Sequence, residues 1–274
     1  MSLQHEPVDF RGTPCIRLRS ADATALVALR GGQLLSWIPA DGRERLFLAE
    51  RADFAPAAAI RGGVPVIFPQ FGDRGALRKH GFARVVDWSF AGIEHAAAHF
   101  ELRDCPATAD WPHAFACRLS VALNHVALTA TFAIENRGDS AFAFTAALHT
   151  YLRVDDLAQV ALEGLQGCDY EDSANGGTLH REGQHALAFE GEIDRIYGDV
   201  VAPLALVEGG RRLDIAQTGF ADTVVWNPGE ELAARIGDLA PGEHRRFVCV
   251  EAGQVLQPAV LQPGERWHGS QSLG

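Results

Sequence analysis

The chain has 274 residues, 47% of them hydrophobic, and a formal net charge of −11. That acidity opposes nonspecific nucleic-acid binding, which needs broad basic faces, and no apolar run approaches the roughly 18–20 residues of a membrane-spanning helix. The opening MSLQHEPVDF has neither a basic start nor an apolar signal core, so a cytoplasmic protein without nucleic-acid or membrane partners is expected.

Along the chain, CIRLRS, TALVALR, QLLSWI and RLFLAE are short strand-like runs separated by SADA, GG and PADGRE. The segment from Ile60 to Arg84 follows, with five basic residues (Arg61, Arg74, Arg78, Lys79, Arg84) against Asp73. It carries about +4 while the rest of the chain carries about −15, a concentration that suits a small anion. Five glycines and two prolines exclude a long helix there and favour a turning loop. Ala107 to Ala116 and Leu157 to Gly164 carry weak helical signals of a turn or two.

Between Arg118 and Glu135, Leu119, Val121 and Leu123 alternate with polar or small residues, Asn124-His125 makes a turn, and Leu128, Ala130, Phe132 and Ile134 resume the alternation. This predicts a hairpin. A second joins Ala205–Glu208 to Arg211–Gln217 through Gly209-Gly210. The run RRFVCVEAG and the run ERWHGS add strands near the end. With no repeat and no dividing linker, residues 1–274 read as one all-β domain, a large antiparallel β-sandwich with few short helices.

Two strands carry candidate chemistry. In Ala141 to Arg153, Phe142, Phe144, Ala146, Leu148 and Leu152 fall on one face and Thr145, His149, Tyr151 and Arg153 on the other. His149 is there either a hydrogen-bonded sheet residue or a proton carrier. In Arg245 to Glu251, Glu251 shares its face with Phe247 and Cys249, opposite Val248 and Val250. It sits either at a solvent edge or in a cleft, where desolvation would raise its pKa. If the two meet on one concave sheet they form an acid and base pair for proton transfer near neutral pH. His95 and His99 form the one i, i+4 histidine pair, without an accompanying HExxH or Cys/His cluster, so no catalytic metal is expected. The five cysteines lack a CxxC pair and read as free thiols.

Taken in order, RGGVPVIFPQFG, KHGFAR, LHTYLRV, DRIY, VVWNPG and FVCVEAG resemble the hexose-6-phosphate mutarotases, or glucose-6-phosphate 1-epimerases, of the galactose mutarotase-like β-sandwich group. The resemblance runs from GGQLLSW near residue 31 to CVEAG near 251. It implies a sugar-phosphate substrate, no cofactor and no metal. His149 would protonate the ring oxygen, and Glu251 would take the proton of the anomeric hydroxyl. His80 and Asp194 would hydrogen-bond the sugar. Arg61 and Arg84 would hold the phosphate, with Gln70 nearby and Arg74, Arg78 and Lys79 as secondary candidates. Trp37 and Trp226 read as packing residues, with Phe68 or Phe71 as competitors for stacking on the sugar. EELAARIGDLAPGEHRR departs from the family pattern and leaves the pocket rim open. An aldose 1-epimerase for free sugars and a noncatalytic sugar-binding sandwich are the rivals. Nothing demands more than a monomer.

Overall fold

Alternating apolar residues become antiparallel strands in three sheets of the computed structural model, which describes residues 3–274. Four N-terminal strands, Gln4–Phe10, Thr13–Ser20, Ala23–Ala28 and Leu34–Ile38, pair in sequence order. A nine-stranded sheet has Ala186–Ala188 at one edge and Ser89–Glu94 at the other, with Arg266–Leu273 and Leu128–Asn136 adjacent near its middle. The third sheet runs Thr178–Arg181, Asp169–Asp172, Ile193–Gly198, Asp222–Asn227, Phe247–Leu261, Phe142–Leu148 and Val66–Ile67, and Tyr151–Arg153 also pairs with Phe247–Leu261.

Both expected hairpins form. Phe115–Leu123 buries every second side chain and turns into Leu128–Asn136, with Asn124 Oδ1 accepting the Val126 and Ala127 amides at 2.9 Å. Leu204–Glu208 turns into Arg211–Thr218 at Gly209 and Gly210, whose φ values of 54° and 78° are those a two-residue hairpin turn requires.

The largest hydrophobic cluster draws on all three sheets, including Leu18 and Val27, Leu119 and Phe132, and Phe144 and Val250. Burying each large side chain contributes about 1.5–3 kcal/mol. Val248 and Val250 point into this core, which sends Phe247, Cys249 and Glu251 to the opposite face of the strand. Phe247 and Cys249 join a separate small cluster with Phe47 and Tyr151.

One local expectation is corrected and two weak ones are met. RLFLAE makes isolated bridges, Leu46 to Leu152 and Leu48 to Gly62, and no continuous strand, because its backbone is shared between two partners. As expected, Leu157 to Gly164 gives a single short turn, the 3-10 turn Leu157–Gln159, followed by the strand Val160–Glu163 next to the edge strand of the nine-stranded sheet. Ala107 to Ala116 holds only the turn Pro106–Thr108 before strand Phe115–Leu123 begins. The α-helix Gly229–Ala233 lies in the stretch that departs from the family pattern. Among the described residues no helix is long and apolar enough to cross a membrane.

Candidate active site

Strand register assembles the site. Asp194 pairs with Trp226, Trp226 with Cys249, and Cys249 with Tyr151, so these four side chains form one row on one sheet face. The adjacent row runs Ile196, Val224, Glu251. Leu148 pairs with Ala252 and Tyr151 with Cys249, which places His149 opposite Glu251 in the short gap between the two strand segments. His149 Nδ1 lies 3.3 Å from Glu251 Oε1. His149 Nδ1 and Glu251 Oε2 are buried without a hydrogen-bond partner, an arrangement that a polar ligand would complete.

This pair faces a cavity of about 510 Å³ that is also lined by Arg61, His80, Arg84 and Asp194. Six of the seven sequence-predicted site residues therefore meet in one hollow of small-ligand size. Gln70 does not. Its amide is turned into the 72–77 loop, where Nε2 donates to the Gly72 and Leu77 carbonyls at 3.1 Å and Oε1 accepts the Leu77 amide at 2.9 Å. Its place is beneath the loop, holding that loop's shape.

Burial sets the protonation of the pair. It pushes Glu251 well above the usual carboxylate range, with Asp194 adding and Arg84 opposing. It drives His149 well below its ordinary value, with His80, Arg84 and Arg61 adding. The pair thus shares one proton, either as neutral acid with neutral imidazole or as carboxylate with imidazolium. Burial also lifts Asp194 to about 6, against the opposing charge of Lys79.

His80 belongs to the loop wall. Its φ is +66°, and Gly81 follows at +65° with a Cβ that would meet the Phe68 carbonyl oxygen at 2.2 Å, so only glycine fits there. His80 Nδ1 accepts the Gly72 amide at 3.2 Å, which leaves the ring proton on Nε2. Burial, then Arg84, Lys79 and Arg61, lower its pKa to about 2. His80 is a fixed neutral donor.

The cations divide into engaged and free. Arg61 Nε donates to both Asp238 oxygens at 3.1 and 3.2 Å, and its Nη1 donates to Tyr151 Oη at 3.1 Å. Tyr151 and then Asp238 raise its pKa against burial. Arg74 is paired with Glu171. Arg84 spends one Nη2 bond on the Lys79 carbonyl at 3.0 Å and leaves Nε buried without a partner. Burial brings its pKa down to about 10. Lys79 also lines the cavity, and neither it nor Arg84 has a carboxylate at ion-pair distance among the described residues. Arg78 does not line it.

Several participants escaped sequence reading. Tyr151 stacks on the His149 ring, centroids 4.8 Å apart and planes 10° from parallel. Asp238 comes from the divergent stretch, which also brings Leu232 and Ile236 to the rim. Trp226 packs, as expected, against the cluster of Phe47, Tyr151 and Phe247, and it also lines the cavity edge-on to His149 at 6.0 Å, because its strand position alternates with core-facing Val225. Trp37 and Phe68 are fully buried packing residues, while Phe71 reaches the cavity. Behind the pair, Gln271 of the nine-stranded sheet accepts from Thr150 Oγ1 and donates Nε2 to the Val250 carbonyl at 2.9 Å, tying together the neighbours of His149 and Glu251. The period-two pattern of ERWHGSQSLG buries Gln271, but a buried glutamine's partner is not encoded locally. His99 is engaged with Ser120 at 2.8 Å, and all five cysteines are free.

A cavity of small-ligand size on an antiparallel sandwich, with an imidazole and a carboxyl facing each other at its floor, suits proton transfer to and from a small polar ligand. Residues 14–274 match the family model described as Aldose 1-epimerase, and the chain belongs to that family. A protein of Cenchrus ciliaris named "Putative glucose-6-phosphate 1-epimerase" is 37% identical, over 96% of this chain and 84% of its own. An Escherichia coli K12 protein of the same name is 33% identical over 91% and 86%. The crystal structure titled as a "putative mutarotase (YeaD)" from Salmonella typhimurium superposes with a TM-score of 0.89 at 29% identity, covering 98% of this chain and 92% of that one. The chain is accordingly an isomerase of the sugar-epimerase type.

Proposed function

We propose that the enzyme interconverts the α and β anomers of a hexose 6-phosphate, glucose 6-phosphate first among them. The observation that carries this reading is the free pair of cations, Arg84 and Lys79, on the cavity that holds the orphaned His149 and Glu251 polar atoms. A phosphate dianion would pair the buried Arg84 Nε and offset both charges. Arg61, already balanced by Asp238, contributes chiefly through its remaining edge and by fixing Tyr151 under the His149 ring.

In the opening step Glu251 takes the proton of the anomeric hydroxyl and His149 gives one to the ring oxygen, so the C1–O5 bond breaks and the aldehyde forms. Rotation about C1–C2 presents the other carbonyl face. On closure the neutral Glu251 returns its proton to the carbonyl oxygen and neutral His149 removes the one on O5. Each half reaction switches the pair between its two one-proton forms, and no proton need be exchanged with solvent. His80 Nε2–H would donate to a sugar oxygen, and Asp194 would accept from a hydroxyl.

The test is anomer exchange measured by NMR on glucose 6-phosphate and on glucose. Losing a charge-assisted hydrogen bond costs about 1.5–3 kcal/mol. Arg84→Ala should therefore lower kcat/KM for the phosphate about 10-fold to 100-fold and leave the slower reaction of glucose unchanged. Lys79→Ala should act in the same direction but less, since it is exposed. Equal losses on both sugars would remove the phosphate assignment and favour a free-aldose epimerase.

A further inference from the structure

Cys249 takes no part in these proton transfers, yet it stands in the same strand row as the site. One ligand atom each from His149, Cys249 and Glu251 lies within 4.8 Å of the other two, and all three residues are buried. The grouping follows from strand geometry: Cys249 and Glu251 are two apart on one face, and His149 stands across from Glu251. His149 Nδ1 and Glu251 Oε2 are buried without a hydrogen-bond partner.

We propose that His149, Cys249 and Glu251 form an inhibitory site for a thiophilic divalent cation, with Zn²⁺ as the fitting ion. Nitrogen, sulfur and oxygen ligands at about 2.0–2.3 Å in a tetrahedron stand roughly 3.3–3.8 Å apart. The 3.3 Å separation of His149 Nδ1 and Glu251 Oε1 already matches, and the 4.8 Å limit on the group leaves no pair more than about 1.5 Å from that spacing. Thiolate, carboxylate and imidazole suit zinc and disfavour Mg²⁺ or Ca²⁺, which need more oxygen ligands. Glu251 and His149 line the cavity, from which a water or substrate oxygen would supply the fourth ligand.

Charge both opposes and permits this. Arg61 and Arg84 repel a dication, whereas the thiol and carboxyl protons lost on binding leave two negative charges, with Asp194 adding to them. The bound ion occupies both proton carriers, so mutarotation stops. This is distinct from catalysis through a metal, since the reaction above needs both side chains free.

The experiment uses Zn²⁺ and Co²⁺ salts on the purified enzyme. Zn²⁺ should inhibit anomer exchange and a chelator should restore it. Co²⁺ should give a thiolate-to-cobalt charge-transfer absorption, a readout that needs no substrate and so survives failure of the sugar-phosphate reading. Cys249→Ala should keep mutarotation, lose the cobalt band and weaken zinc inhibition by about tenfold or more. Cys249→Ser, which preserves size, guards against a folding defect and should also lose the band. A wild-type enzyme indifferent to zinc, an absent charge-transfer band, or a Cys249→Ala enzyme inhibited as strongly as wild type would overturn the proposal.

Discussion

The floor and the wall of the cavity are built by different means. Asp194 and Trp226 stand in one row of paired strands and Glu251 in the next, each placed by the register of its neighbour, with His149 opposite Glu251. Arg61, Lys79, His80 and Arg84 stand on an irregular loop whose shape comes from side chains bonded to backbone, chiefly Gln70 inside it and Gln33, which donates to the Ile60 and Gly62 carbonyls at 3.0 and 2.7 Å. In the proposed reaction the proton transfers, which tolerate little displacement, fall to the sheet. The same proposal leaves recognition of the substrate's far end to the loop, where one substitution changes a contact without disturbing a ladder.

Breaking the floor should have the largest effect. Glu251→Gln and His149→Asn should each lower kcat by about 10²-fold to 10⁴-fold on phosphorylated and free sugar alike, with little change in KM. The double variant should be scarcely worse than either single, because the two residues exchange one proton between them. A normal kcat for either would detach the pair from the chemistry. Gln271→Leu comes next. It removes the tie between Thr150 and Val250 without touching the cavity, and a misplacement of up to about 1 Å can cost as much as 100-fold. The expected signature is a kcat lowered about 10-fold to 100-fold at unchanged KM, with Gln271→Glu recovering part of it. A change in KM alone would mean that Gln271 serves packing only.

Loosening the wall should show the opposite split. Gln70→Ala removes three hydrogen bonds worth about 1 kcal/mol each. Some of that cost falls on folding and some on loop order. KM for glucose 6-phosphate should rise about tenfold while kcat is largely kept, as steady-state anomer exchange would show. A loss confined to kcat would place Gln70 with the floor.

The same division explains what could be read from the chain beforehand. Alternation puts Glu251 with Cys249 and Phe247, and His149 opposite Phe144 and Leu148, because strand faces are a local property. That His149 stands across from Glu251 is a register, fixed by packing between segments about 100 residues apart, and only the family resemblance brought the two together. The wall was less legible. The charge of residues 60–84 is what raises the expectation of an anion, but which cation is free depends on Asp238, 177 residues beyond Arg61. Gln70 reads as one more polar loop residue, and nothing local shows that its amide turns inward. RLFLAE has the alternation of a strand and fails to become one for want of a continuous partner.

The smallest effect concerns stability, and it also separates floor from wall. Burial raises Glu251 above its unfolded value, so as pH climbs past the ordinary carboxylate range the unfolded chain gives up a proton that the folded one retains. Stability therefore falls with rising pH until the raised pKa is reached. Burial lowers His149, so below about 6.5 the unfolded chain takes up a proton that the folded one refuses, and stability falls again toward acid. Glu251→Gln abolishes the first penalty and keeps the second. Its melting temperature should equal that of wild type near pH 4 and exceed it at neutral pH, by about 2–4 °C for each kcal/mol relieved, while activity is lost. Arg84→Ala should show no such crossover, since guanidinium stays charged throughout this range. A Glu251→Gln enzyme less stable than wild type at pH 7 would mean that the carboxyl is ionised in the free enzyme, held by Arg84, and that the resting pair is carboxylate with imidazolium.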